Sequence, residues 1–383
     1  MEENEKFKVL WKRTINLSGL AVLLVPWGAA AADTNSFNLD EFKIPLWSSS
    51  FELRGGTGYK DNVLLSNTNA EDSAFWMSGA EAMVFSLPNH GWQFNFFADA
   101  TDVRYFDAPS VDSEQLALAA AQLNKDFGLG WKSTLGLNYL YQNQVFDASA
   151  TYTTDTSVGK ILGHTVAPRW ALRKKLNQFW VEGEINATRQ WLDEPLDDYW
   201  QVGPRLVGGY GWGNGSELTL AYQWQRLDYD TREQADPTGL PLPGTSLGLD
   251  TQLVDFGWTQ VWDEKRHWQT VTSIGYEACR DNGSGYYDFN DYRLAQQVRY
   301  RDQRWEVTAR ARVGYYQYST QAVSDTDTAL RRKTMLNALL RVERKFGKHL
   351  KAQLSYHWDQ SISNLDFDDY QANVVMAGVG FTF

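Results

Sequence analysis

The chain has 383 residues, 43% hydrophobic and 14% aromatic, with 17 tryptophans and 19 each of tyrosine and phenylalanine. Such an aromatic load excludes a disordered or low-complexity chain, and the single cysteine excludes a disulfide framework or a multi-cysteine metal site. A net charge of −11 without a basic tail argues against nucleic acid as a partner. The mean hydropathy is −0.47, and after the first 32 residues no uncharged apolar run reaches ~18 residues, which excludes helical spans. A soluble β-rich fold or a transmembrane β-barrel remains.

Lys6, Lys8, Lys12 and Arg13 form a basic N-terminal region, followed by an uncharged stretch that is most apolar from Leu20 to Val25. Pro26 breaks it before the small residues Gly28 to Ala32. Ala30 and Ala32 fit the −3 and −1 positions of a signal-peptidase site, with cleavage between Ala32 and Asp33. The domain reading is a signal peptide over 1–32, a short periplasmic segment over 33–47 and a barrel over 48–383.

From Phe51 onward the chain alternates apolar and polar residues with period two. In Trp305 to Tyr316 the odd positions include Val307, Ala309, Ala311 and Val313, and the even positions Glu306, Thr308, Arg310 and Arg312. Turn signals divide the chain into segments near 48–60, 73–86, 91–106, 114–126, 129–145, 160–173, 177–191 and 198–211. The second half continues near 216–229, 248–262, 266–279, 287–300, 304–318, 328–346, 348–362 and 369–383. These sixteen segments hold two-faced stretches of roughly ten residues, the height of a membrane strand. Soluble sandwiches use strands of ~5–6 residues. In 73–86 and 114–126 alanine and methionine blur the faces, and 114–125 and 328–343 have helical propensity.

Connections alternate short and long. Pro88-Asn89-His90, Trp212-Gly213-Asn214-Gly215 and Asp302-Gln303 are short, while 61–72, 146–159 and 230–247 are long. Short periplasmic turns and longer outer loops are the asymmetry of an outer-membrane barrel. Trp92, Trp131, Phe179, Trp268, Trp305 and Phe346 sit beside short turns. Tyr105, Tyr141, Trp191, Trp200, Tyr229, Tyr276 and Tyr318 sit toward long loops. Two such rings fit the two lipid–water interfaces. Long loops are acidic (Asp61, Asp236, Asp281, Glu194, Asp325, Asp327 and Asp368 among others), and short turns carry Lys174, Lys175, Arg266 and Arg304. An acidic rim is a soluble one, and its carboxylates can share divalent cations with lipopolysaccharide.

The last residues, Gly378-Val379-Gly380-Phe381-Thr382-Phe383, resemble the terminal signal read by the outer-membrane barrel-assembly machinery, with Phe381 and Phe383 as its aromatic positions. Gly56-Thr57-Gly58-Tyr59-Lys60-Asp61-Asn62-Val63 resembles the Gly-Tyr-x-Asp-Asn-Val opening of some Gram-negative β-barrel porin families. It is similar, more weakly, to the barrel part of surface lipoprotein assembly modulators. The resemblance implies a barrel in the outer membrane of a Gram-negative bacterium, with membrane lipids, lipopolysaccharide and the assembly machinery as partners. General porins are similar in strand number and tuck a long third loop inward. Here the third long loop, 146–159, is modest and the longest is 230–247.

Chemistry is sparse. His357 falls on the polar face near Ser355 and Asp359, but i and i+2 positions of a strand are ~7 Å apart, too far for a relay. Cys279 reads as a small filler. No cofactor, metal site or enzymatic activity is expected. Inward positions carry Arg293, Arg299, Arg310, Arg312 and Arg341 on later segments, and Glu182, Glu184, Asp255 and Glu277 on the seventh, tenth and eleventh. On separate arcs they set a field across a water-filled lumen, and paired they plug it, with Glu306 and Glu343 as further partners. The sequence thus reads as an all-β, antiparallel up-and-down transmembrane barrel of about sixteen strands. Its expected role is a porin-like channel for passive diffusion of small hydrophilic solutes. The other reading is a non-conducting barrel in assembly, secretion or surface attachment. The oligomeric state is open.

Overall fold

The computed structural model describes residues 47–147, 158–193, 196–323 and 328–383. The expected signal junction at Ala32 and Asp33, and the loop acids Glu194, Asp325 and Asp327, lie outside the described residues. The strands are β1 (Trp47–Lys60), β2 (Ser73–Ser86), β3 (Trp92–Tyr105), β4 (Ser113–Gly128), β5 (Trp131–Asp147), β6 (Val158–Leu176), β7 (Phe179–Leu192) and β8 (Tyr199–Gly211). They continue as β9 (Glu217–Tyr229), β10 (Gly248–Val261), β11 (Trp268–Asp281), β12 (Phe289–Arg301), β13 (Trp305–Ala322), β14 (Leu330–Phe346), β15 (Leu350–Ser363) and β16 (Tyr370–Thr382). Each pairs antiparallel with its chain neighbours, and β1 pairs with β16 to close a sixteen-stranded barrel. Closure gives each strand a ladder on both sides and leaves no edge.

The expected segments match within a few residues. The helix-prone tracts form β4 and β14, because partners on both sides supply ladders that local propensity cannot outweigh. Pro168 and Pro204 lie within β6 and β8, and the ladders β6–β7 and β8–β9 skip at those positions, as a residue without an N–H requires.

Parity fixes the faces. Leu53, Leu137, Ile185, Leu206, Leu220, Ile274, Leu340, Leu354 and Val379 are exposed on the outside. An apolar surface that encircles the molecule exceeds anything a soluble protein shows to water, and it matches the hydrocarbon band of a membrane. The ambiguity in β2–β4 has a structural cause. Met77, Met83, Phe97 and Leu118 point inward and are buried, while Ala80, Ala82, Ala98 and Ala119 face outward. On this arc apolar bulk thus stands on both faces, which blurs the alternation.

The outer aromatic ring needs correction. Tyr141, Trp191, Trp200 and Tyr276 face outward, but Tyr105, Tyr229 and Tyr318 have the opposite parity. Tyr229 and Tyr318 are buried in a cluster inside the long-loop mouth, with Leu227, Leu247, Cys279, Phe289 and Met335. Tyr105 packs on Phe75 and donates its hydroxyl to Glu114 at 2.8 Å. Proximity to a loop located these tyrosines along the strand, and parity decided their side.

The Gly56-to-Val63 motif lies on the closing seam. Gly56 pairs with Gly378, and a Cβ on Gly56 would stand 2.6 Å from the Ala377 carbonyl oxygen, so the backbones approach as only glycine allows. The Asp61 carboxylate accepts from the Asn373 backbone N–H at 2.6 Å and its side-chain amide at 2.7 Å. Asn62 donates to the Gln371 carbonyl at 2.9 Å, and Val63 is fully buried beside Tyr370 and Ala372. The motif fastens the first strand and loop to the last strand.

Candidate functional site in the barrel interior

All nine charged residues expected on the inner wall have inward parity: Glu182 and Glu184 on β7, Asp255 on β10, Glu277 on β11, Arg293 and Arg299 on β12, Arg310 and Arg312 on β13, and Arg341 on β14. The structure brings only some of them together. Arg293 donates to Glu277 at 2.5 Å and forms an ion pair with Asp291 at 2.9 Å, making a buried triad. Glu182 is held by Arg173 at 2.8 Å and Glu184 by Arg169 at 3.1 Å, both arginines from β6. The acidic arc is therefore largely neutralised at short range, which changes the expected field. Asp255 keeps one buried carboxylate oxygen without a hydrogen-bond partner, within electrostatic reach of Arg293, Arg205 and Arg312.

The basic arc on β12–β14 is different. Arg310 and Arg312 have no carboxylate within ion-pair distance among the described residues. Arg299 donates to Gln269 at 2.7 Å, a neutral partner. Glu306 reaches Arg301 at 3.8 Å, and Glu343 reaches Arg341 at 3.9 Å and Lys351 at 3.8 Å, so neither neutralises Arg310 or Arg312. His357 meets Asn337 at 2.7 Å, as a polar wall residue.

Across the lumen, β3–β5 add a set of inward amides to their wall. Asn95, Asn124, Asn138 and Gln142 each have a buried side-chain nitrogen without a protein partner. Buried polar groups are rarely left without a hydrogen bond, so this stretch of wall is one that suits a polar rather than an apolar filling.

Sequence reasoning missed the ion pairs Arg54–Asp99 at 2.6 Å and Lys351–Glu52 at 2.7 Å, and the buried pair Arg331–Asp368 at 2.6 Å. Arg54 reaches from β1 over β2 to β3, passing Gly79, where a Cβ would stand 2.6 Å from its Nε. An inward glycine flanked by strands carrying arginine and aspartate was the available signal. Asp368, expected on an acidic rim, instead anchors its loop inside the mouth through Arg331.

The longest loop also enters the mouth in part. Ala235 and Leu247 are buried in the tyrosine-rich cluster, and Arg232 lies over the rings of Tyr229 and Tyr287. Ser284 donates to the Ala235 carbonyl at 2.7 Å, and Asn282 to that of Ser246 at 3.0 Å, joining the β9–β10 and β11–β12 loops. Leu240 at the tip is 65% exposed, so the base packs inward and the tip projects.

These features define a transmembrane β-barrel with a charged interior. No protein-family model and no curated protein matches the sequence. Among solved structures, OccAB4 of Acinetobacter baumannii aligns over 88% of this chain and 98% of its own, with 10% identity and a TM-score of 0.48. OccAB1 of the same organism aligns over 89% and 97%, with 9% identity and a TM-score of 0.47. OmpT, an outer membrane protein of Vibrio cholerae, aligns over 89% and 99%, with 10% identity and a TM-score of 0.43. The likeness is one of general shape.

Proposed function

We propose that the protein is a porin-like channel of the Gram-negative outer membrane that passes small hydrophilic solutes by passive diffusion and favours anions. The observation that carries this reading is the arc of Arg299, Arg310 and Arg312, inward and with no carboxylate at ion-pair distance among the described residues. Fixed positive charge in a confined aqueous path lowers the barrier for anions. The buried side-chain nitrogens of Asn95, Asn124 and Asn138, which have no protein acceptor, support a hydrated lumen. Sixteen strands enclose an aqueous channel unless plugged.

The inward base of loop 230–247 favours a second reading, a non-conducting barrel in assembly, secretion or surface attachment. Conductance of the purified protein in a planar lipid bilayer separates the two. Discrete ion-conducting steps with anion preference support the channel, and an electrically silent, correctly folded barrel supports the second reading.

A further inference from the structure

Three arginines surround one residue of the inner wall. Thr308 is inward on β13, and in the ladders it stands directly opposite Arg299 of β12 on one side and Arg341 of β14 on the other. Arg310 follows two positions along β13 on the same face. Directly opposed residues on one face have Cβ atoms ~4.5–5.5 Å apart, and i, i+2 neighbours are separated by ~7 Å. Thr308 is therefore the floor of a cradle with a guanidinium-bearing side chain on three sides. The cradle lies near the short-turn end of the lumen, close to Trp305, where β13 begins.

The wall uses little of this charge. Arg299 donates to the neutral Gln269 at 2.7 Å, and Arg310 lies between Gln297 and Leu339. Arg341 reaches Glu343 at 3.9 Å, the outer limit of an ion pair. The Nε–H groups of Arg299 and Arg341 are buried with no acceptor. Glu306 and Glu343 stand opposite each other in the next inward row toward the short turn. Arg301 reaches Glu306 at 3.8 Å, and Lys351 reaches Glu343 at 3.8 Å and Glu52 at 2.7 Å. Five cations (Arg299, Arg301, Arg310, Arg341 and Lys351) thus face three carboxylates (Glu52, Glu306 and Glu343), and the excess is positive. Like charges crowded on one face repel, and buried donors without acceptors cost stability. A bound anion relieves the repulsion.

We propose that this cradle binds the phosphate of a phosphomonoester solute, with its oxygens on Arg299, Arg310 and Arg341 and the Thr308 hydroxyl donating to one of them. A phosphomonoester carries about −1.5 to −2 charges at neutral pH and three acceptor oxygens that diverge. A carboxylate has one charge and two coplanar oxygens, which a single guanidinium satisfies side-on. It would leave the other two arginines without an acceptor. The site rests on the lumen reading above, since a solute reaches this wall only through water.

The test is isothermal titration calorimetry of the folded barrel in non-ionic detergent with glycerol 3-phosphate, inorganic phosphate, glycerate or glycerol, at a pH above the second phosphate pKa of ~6. Wild type should bind glycerol 3-phosphate, inorganic phosphate no more tightly, glycerate about tenfold more weakly and glycerol not at all. Arg341→Gln and Arg310→Gln keep the lumen face polar and should each weaken glycerol 3-phosphate about tenfold, as for a lost charge-assisted hydrogen bond. Arg341→Lys should fall between wild type and Arg341→Gln. Arg312→Gln removes the same charge ~13 Å along the strand from Thr308 and should change the affinity little. Folding of each variant is read from its heat-resistant band, and should Arg341→Gln misfold, Arg310→Gln carries the same expectation. Equal weakening by Arg312→Gln and the cradle variants overturns the site in favour of a diffuse field. Equal affinity for glycerate, or far tighter binding of inorganic phosphate, overturns the assigned ligand. No phosphate binding by folded wild type overturns the proposal outright. Binding needs no conductance, so an electrically silent barrel that binds removes the channel and leaves the site, and a conducting barrel that does not bind does the reverse.

Discussion

Ala311 and Arg310 are adjacent in β13 and meet different solvents, Ala311 on the exposed outer face and Arg310 on the inner one. Ala311→Arg places a cation in hydrocarbon at mid-strand and should cost ~2–4 kcal/mol, seen as loss of the heat-resistant folded band on gels. Arg310→Ala should leave that band nearly intact, and equal loss in both would contradict the register. Asp302 shows the same residue-level logic in a turn. It accepts from the N–H groups of Arg304 and Trp305, each at 2.7 Å, and from the Tyr300 hydroxyl at 2.8 Å. The Trp305 N–H foremost, then that of Arg304, hold its carboxyl below the ordinary 3.8. A carboxylate held low stabilises the fold above its unfolded value and loses that contribution as pH falls through its folded value. The stability advantage of wild type over Asp302→Asn, measured by denaturant unfolding from micelles, should therefore shrink as pH drops below 3.8. A difference that ignores pH would show that the charge is irrelevant to the turn.

Single strands owe their places to devices at their ends. The β1–β16 seam depends on Asp61 as well as on its glycines, because one carboxylate holds both the backbone and the side chain of Asn373. Asp61→Ala leaves two donors at the seam unpaired, at a cost of about 1–3 kcal/mol. The heat-resistant band should convert at lower temperature than in wild type, and an unchanged conversion temperature would mean that the ladder alone closes the barrel. At the outer mouth, the base of the β9–β10 loop is fastened by Ala235 and Leu247 in the tyrosine cluster. Replacing 234–246 by a short Gly-Ser link should widen the mouth and raise single-channel conductance. No rise would place the limiting constriction deeper, at the charged wall.

For the whole molecule, loop length and interior charge give two measurable consequences. A protease site at Thr238-Gly239, in the longest loop, should be cut on intact cells, while one at Gly213-Asn214, in a short turn, should not. The reverse pattern would invert the orientation. Arg299, Arg310 and Arg312 lie along the wall, whereas loop carboxylates act from the rim, where salt screens them within ~8–10 Å. Changing the three arginines to glutamine should shift the reversal potential toward cations, with the larger effect at low salt. An unchanged potential in a conducting variant would show that these residues lie off the path.

Period-two alternation, turn residues and connection lengths are local properties, so the sequence by itself determined the antiparallel barrel, its strand number and the parity of the nine inward charges named from it. It also displayed the Gly56-to-Val63 motif, though not what the motif does, since Asn373 and Gly378 lie more than three hundred residues away. Tertiary structure alone decided which charges are spent on one another. Arg293 and Arg310 both read as inward arginines, yet Arg293 lies between Glu277 and Asp291, while Arg310 lies opposite Gln297 and Leu339. Neighbours of that kind follow from the stagger between strands, which no single strand encodes. The loops obey the same rule: Asp368 reads as a soluble rim acid until the fold sets Arg331 against it, and Tyr229 as an interface ring until the barrel closes around it. A side chain's solvent is set by the wall it stands on, and that wall exists only once β1 has met β16.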